Sequence, residues 1–102
     1  MSSAELFQGR PVRQMRYRGR KVRYVANQLV VCLKPEFSRD SDAQQQVMSA
    51  LPERSAIEEG FDELGIALVN LPERSDLFEI LKELETKNVV AFAEPNFLDT
   101  AS

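Results

Sequence analysis

Residues 89–97 read VVAFAEPNF, an apolar run of β-branched, small and aromatic residues that meets Glu94, Pro95 and Asn96 just before the chain ends. Such a run reads as a buried strand. Pro95 brings no N–H to a ladder, so the strand is expected to cover residues 89–93 and to stop there, leaving a kink and a tail.

Working backwards, Ser75 is placed to cap a helix. Asp76 and Glu79 suit its positive end, Leu77, Ile80, Leu81 and Leu84 share one face, and Lys82 and Lys87 lie towards the other end. Residues 55–61 and 66–71 flank the turn DELG and read as a hairpin in which Gly65 supplies a positive φ. Ser41 with Gln44 makes a capping box for an earlier helix, lined by Ala43, Val47, Ala50 and Leu51 and stopped by Pro52. Residues 28–34, QLVVCLK, are too apolar for a strand wetted on one face and read as a central strand ended by Pro35. In residues 12–25, Met15 and Tyr17 alternate with Arg16 and Arg18, Gly19 marks a turn, and Val22 and Tyr24 alternate with Arg23. That is a hairpin with one apolar and one basic face. Residues 1–11 show no period, contain Gly9 and Pro11, and are expected to be disordered.

From residue 26 onward the order is βαββαβ, which predicts an α+β, ferredoxin-like fold. In it an antiparallel four-stranded sheet carries both helices on one face and leaves the other open, here preceded by the basic hairpin. The domain reading is a disordered segment 1–11, a hairpin extension 12–25, a folded domain 26–97 and a tail 98–102. The pentapeptide LPERS occurs at 51–55 and 71–75. The first copy leaves a helix and the second leaves a strand, so the two are read as a coincidence rather than a duplication. The middle strands offer Leu29, Val30, Val31, Cys32, Ile66, Leu68 and Val69 to the open face. They lack the stacking aromatics of an RNA-recognition domain, which argues for a protein-docking face. The competing reading is that these residues meet the helices or a second copy of the chain.

With 102 residues, 43% hydrophobic and 28% charged, the chain suits one small domain that buries about 65% of its unfolded surface. There is no histidine, so no Ser-His-Asp or Cys-His constellation can be assembled and no common zinc site is available. The Glu-rich stretches lack a glycine-rich phosphate loop. No catalytic residue, metal or cofactor is therefore expected. Cys32, alone in LVVCL, reads as a buried, inert thiol. No apolar run approaches the roughly 18 residues of a membrane span, and MSSAELFQGRPVRQ lacks the apolar core of a signal peptide, so no membrane partner is expected. Residues 1–24 carry Arg10, Arg13, Arg16, Arg18, Arg20, Lys21 and Arg23 against Glu5 alone, a net +6 within a chain of net −3, so the remaining residues carry −9. A basic arm on an acidic body fits nucleic-acid binding, attraction between arm and body, or a solvated edge, the last two being favoured.

The ending, through Val90, Ala91, Phe92, Glu94 and Asn96, resembles the close of the N-terminal propeptide of subtilisin-like serine proteases. There a last strand of the form V-A-Y-x-E-x-D/N leads into the linker cut on maturation, and the AEPNF wording looks like that of bacterial and archaeal members. Tyr17, Gly19 and Lys21, as Y-x-G-x-K, are similar to the opening of some bacterial propeptides. The resemblance spans residues 25–97, with L-G-I-A-L-V before the second helix in register. It implies that the open sheet face sits on two surface helices of the protease and that Glu94 and Asn96 cap those helices. It also implies that Phe97, Leu98, Asp99, Thr100, Ala101 and Ser102 run through the active-site cleft like a substrate. The expected function is that of an intramolecular chaperone and inhibitor whose partner is the cognate protease domain, encoded in one exported precursor of which this chain is a part. The alternatives are a free-standing subtilisin inhibitor of the same fold, or an interaction or nucleic-acid module that uses the basic hairpin.

Overall fold

Two tight turns built alike bring the chain into its sheet. Gln8-Gly9 (φ 51° and 80°) and Arg18-Gly19 (φ 52° and 80°) each hold two successive residues in the left-handed region. This is the type I′ geometry whose twist matches that of paired strands. They join β1 (Leu6–Phe7), β2 (Arg10–Tyr17) and β3 (Arg20–Leu33). After these follow α1 (Ser41–Ser49), β4 (Ala56–Glu59), β5 (Ile66–Asn70), α2 (Leu77–Glu85) and β6 (Val90–Phe97) in this computed structural model, which describes residues 6–98. β1 and the start of β2 lie in the stretch for which the sequence suggested disorder.

β3 is the spine. Its first half pairs with β2 (Val12↔Val25, Met15↔Val22) and its second half with β5 (Gln28↔Asn70, Cys32↔Ile66), end to end along one edge. The opposite edge is taken by β6, from Tyr24↔Phe97 to Leu33↔Val90. β4 adds beyond β5, and every pairing is antiparallel.

The ferredoxin-like βαββαβ fold with a separate hairpin is thereby corrected: the six strands form one antiparallel sheet curled into a half-barrel, with two helices. The reason lies in residues 26 and 27. Ala26 and Asn27 lie between the expected hairpin and the strand expected from Gln28, and read as a gap between two strands, yet β3 continues through them. The Asn27 carbonyl accepts the Leu71 N–H at 2.8 Å, so the backbone there is paired rather than looped out. The sheet bends at this point, because β6 moves one residue, from Asn96 to Pro95, while its partner on β3 moves from Val25 to Leu29.

Strand β6 also differs from expectation in continuing through Pro95 to Phe97. Among the described residues it pairs only with β3, and a proline is tolerated in a strand whose free edge takes the missing N–H. Both helix caps shift by one residue. Asp40, not Ser41, accepts the N–H groups of Asp42 (2.9 Å) and Ala43 (3.4 Å), and Asp76, not Ser75, accepts that of Glu79 (3.2 Å).

Ser75 is used otherwise, and in the same way as Ser55. In both LPERS copies the serine hydroxyl donates to the proline carbonyl (2.7 Å in the first, 2.6 Å in the second), and the arginine is left-handed (φ 71° at Arg54, 66° at Arg74). The pentapeptide thus encodes one turn, used once from helix to strand and once from strand to helix. The two copies are equivalent locally, although the first leaves a helix and the second a strand.

Leu29, Val31 and Leu33 of β3, Ala67 and Val69 of β5, and Ala93 of β6 point to one side of the sheet. There they close on Ala43 and Val47 of α1 and on Leu77, Leu81 and Leu84 of α2. Tyr24 extends this core into the hairpin and meets Phe78 of α2 edge-on at 5.8 Å.

Candidate functional site

Alternation along the strands divides the seven apolar residues expected on the open face. Leu29, Val31 and Val69 are fully buried against the helices. Val30, Cys32, Ile66 and Leu68 have the opposite parity and are half-buried on the outer face. Register aligns them into two rows. One runs Glu94–Val30–Leu68–Glu59 and the other Phe92–Cys32–Ile66. Phe92 is 41% exposed. An apolar strip is thus bordered by carboxylates at both ends of one row.

A third row on the same face is polar. Asn96 Nδ2 donates to Gln28 Oε1 at 2.8 Å, Gln28 Nε2 to Asn70 Oδ1 at 2.7 Å, and Asn70 Nδ2 to Glu58 Oε2 at 2.7 Å. Gln28 is only 1% exposed and is the one fully buried polar side chain among the described residues. The chain of bonds satisfies it at both ends, as a buried amide requires. It also leaves Asn96 Oδ1 as the acceptor of that side chain not spent inside the network.

The residues predicted to act fall into three groups. Glu94 stands half-buried on the outer face, and no described residue pairs with its carboxylate. Asn96 is anchored through its nitrogen as above. Phe97 belongs to β6, where it pairs with Tyr24 and its ring lies 5.0 Å from that of Tyr17, and the Leu98 N–H donates to the Arg23 carbonyl at 2.9 Å. These two are held to the sheet. Asp99, Thr100, Ala101 and Ser102 lie outside the described residues.

Cys32 sits on the outer face, half-buried rather than buried as expected, with its thiol directed at the Leu33 carbonyl (3.3 Å). Burial, aided by the Asp62 carboxylate, pushes the thiol above its ordinary value of 9.0, which keeps it protonated at neutral pH. Among the described residues no group of three or more His, Cys, Asp or Glu side chains could hold a metal.

Sequence reasoning missed Gln28, Asn70, Glu58 and Phe92. Gln28 and Asn70 carried one signal, each being a polar residue at the end of an otherwise apolar strand, and their pairing in register makes that signal intelligible.

A search of curated proteins and a search of solved structures return no match. A family model does match, that of the fervidolysin N-terminal prodomain, over residues 12–96, which takes in the hairpin, both helices and β6 as far as Asn96. The chain belongs to the fervidolysin N-terminal prodomain-like family.

Proposed function

We propose that the chain is the propeptide of a subtilisin-like serine protease, docking on the protease domain to assist its folding and then remaining as its inhibitor. The observation that carries this reading is the outer face, where Phe92, Cys32, Ile66, Val30 and Leu68 form a partly exposed apolar strip outside the helix-packed core. A preformed surface that binds only the folded protease stabilises that state by mass action, which is chaperoning and inhibition by the same contacts.

Glu94 and Asn96 Oδ1 border the strip as acceptors. Helix N-termini present unpaired N–H groups and positive potential, which such oxygens satisfy. Asn96 contributes the hydrogen bond without the charge interaction, roughly 0.3–1 kcal/mol, that an acid would add. The segment that threads the cleft as an added strand then starts after Leu98, since Phe97 and Leu98 are bonded to β3. None of these roles needs catalysis by this chain. The reading places it in an exported precursor, and among the described residues no helix is long and apolar enough to cross a membrane.

Titrating the purified chain into a panel of subtilisin-like proteases and following peptide hydrolysis tests the reading. Inhibition is expected. Leu68→Asp should weaken it at least about tenfold, roughly 1.4 kcal/mol of binding, while leaving the circular dichroism spectrum unchanged. A chain that inhibits no member, or a Leu68→Asp variant of full potency, refutes it.

A further inference from the structure

Among the described residues strand β6 pairs with β3 alone, so none of the described strands covers its other edge. The phase of that edge follows from one bond. The Leu98 N–H donates to the Arg23 carbonyl, which aims the backbone of residue 98 at β3. Successive residues of a strand aim to opposite sides, so Asn96 and Glu94 also face β3, whereas Pro95 and Ala93 face away. Pro95 therefore stands where its missing N–H costs the sheet nothing. The N–H and C=O of Ala93 and the C=O of Pro95 are left pointing outward.

These groups lie along a groove of about 710 Å³ between α2 and the tip of the hairpin. Phe78 and Leu81 of α2 and Met15 and Tyr17 of β2 are among its apolar lining residues. Phe78 is 41% exposed, like Phe92, which also lines the groove. Edge strands are ordinarily blunted by lysines or covered by a loop. Here the β6 residues of the outward-facing phase that line the groove are Ala91, Ala93 and Pro95, all small or flat. An unpaired ladder edge bordering an apolar groove is the arrangement that accepts an extended peptide as an added strand.

We propose that this groove receives an extended segment of the protease domain, of little net charge and with apolar side chains at alternate positions, which joins the sheet beside β6. The partner is taken from the propeptide reading and the inference rests on it. Phe92 and Glu94 border both the groove and the outer face, so a protein seated on that face reaches the groove without a break. The rim carries Arg18 and Lys82 against Glu85 and Glu94, a balance that favours a nearly uncharged segment over a strongly acidic or basic one.

The test uses the full chain and a subtilisin-like protease whose catalytic serine is replaced for structural work. Ala91 is exposed and lines the groove, so Ala91→Lys installs the lysine that edge strands use to repel added strands. The variant should inhibit the active protease at least about tenfold more weakly, with unchanged thermal midpoint. Hydrogen exchange of the Ala93 amide should slow at least about tenfold on complex formation. If the parent chain inhibits but Ala91→Lys is equally potent, or the Ala93 amide exchanges as fast in the complex as alone, the groove proposal fails and the propeptide reading stands. If the parent chain neither binds nor inhibits, both fall.

Discussion

Glu58 determines which way an amide three side chains distant must face. A carboxylate only accepts, so Asn70 turns its nitrogen to Glu58 and its oxygen to Gln28, and Gln28 in turn presents its oxygen to Asn96. The oxygen of Asn96 is thereby left for a partner. Gln28→Leu strands the Asn96 donor and the Asn70 acceptor, and is expected to cost about 1–3 kcal/mol in urea denaturation. It should also weaken protease inhibition, and an unchanged urea midpoint would show the relay to be idle. A second expectation concerns Cys32. Its folded-state thiol titrates above the ordinary value, so its contribution to stability is intact at neutral pH and declines as the pH rises past about 9.0, when the unfolded thiol ionises more readily. Cys32→Ser should flatten that alkaline decline in a series of melting temperatures. At this scale the sequence was readable only in part. Leu29, Val30, Val31, Cys32 and Val69 are apolar at both parities, so composition shows a strand interior but not which side each residue takes. Pairing partners decide that.

At the scale of elements, turns carried the clearest signals and their chemistry was the hardest to read in full. Gly65 was legible as a positive-φ position, and the structure adds a second constraint. A Cβ there would stand 3.1 Å from Ser38 Cα and Cβ and 3.2 Å from Leu33 Cβ, with φ at 78°. Gly65→Ala therefore meets backbone strain and crowding together, and should lower stability by more than about 1 kcal/mol in thermal or urea unfolding. The paired LPERS turns invite the converse change. Arg54 and Arg74 occupy the left-handed region, which costs a residue with a Cβ roughly 1 kcal/mol or more. Arg54→Gly and Arg74→Gly should each be neutral or stabilising despite glycine's extra freedom when unfolded. A marked loss at either site would show that the arginine side chain holds its turn. The helix caps were misplaced by one residue because Ser41 and Asp40, or Ser75 and Asp76, are adjacent residues of equal capping skill. Pro95 was read as a stop because sequence does not reveal which edge of a strand lies unpaired.

For the whole molecule, both helices, the four strands around them and an ending that resembles the family are legible in the sequence, but not how the hairpin joins them. A hairpin closed by Arg18-Gly19 and a core strand beginning at Gln28 look separable, because Ala26 and Asn27 carry no strand signature. Their backbone is nonetheless paired, through the Asn27 carbonyl and the bend shared with β6. Both tyrosines of the chain, Tyr17 and Tyr24, lie in the hairpin strands. Unfolding followed by near-ultraviolet tyrosine signal reports the hairpin, and far-ultraviolet circular dichroism reports the whole. The two should share one midpoint; separate midpoints would mean that the hairpin folds apart from the rest. The 14-residue length of β3 has a further mechanical meaning. One unbroken strand links the arginine-rich tip to the core, and Asn96 and Glu94 pair with it on either side of the bend, at Val25 and Val30. A displacement of the tip is therefore passed by covalent backbone to the residues that hold the amide and the carboxylate.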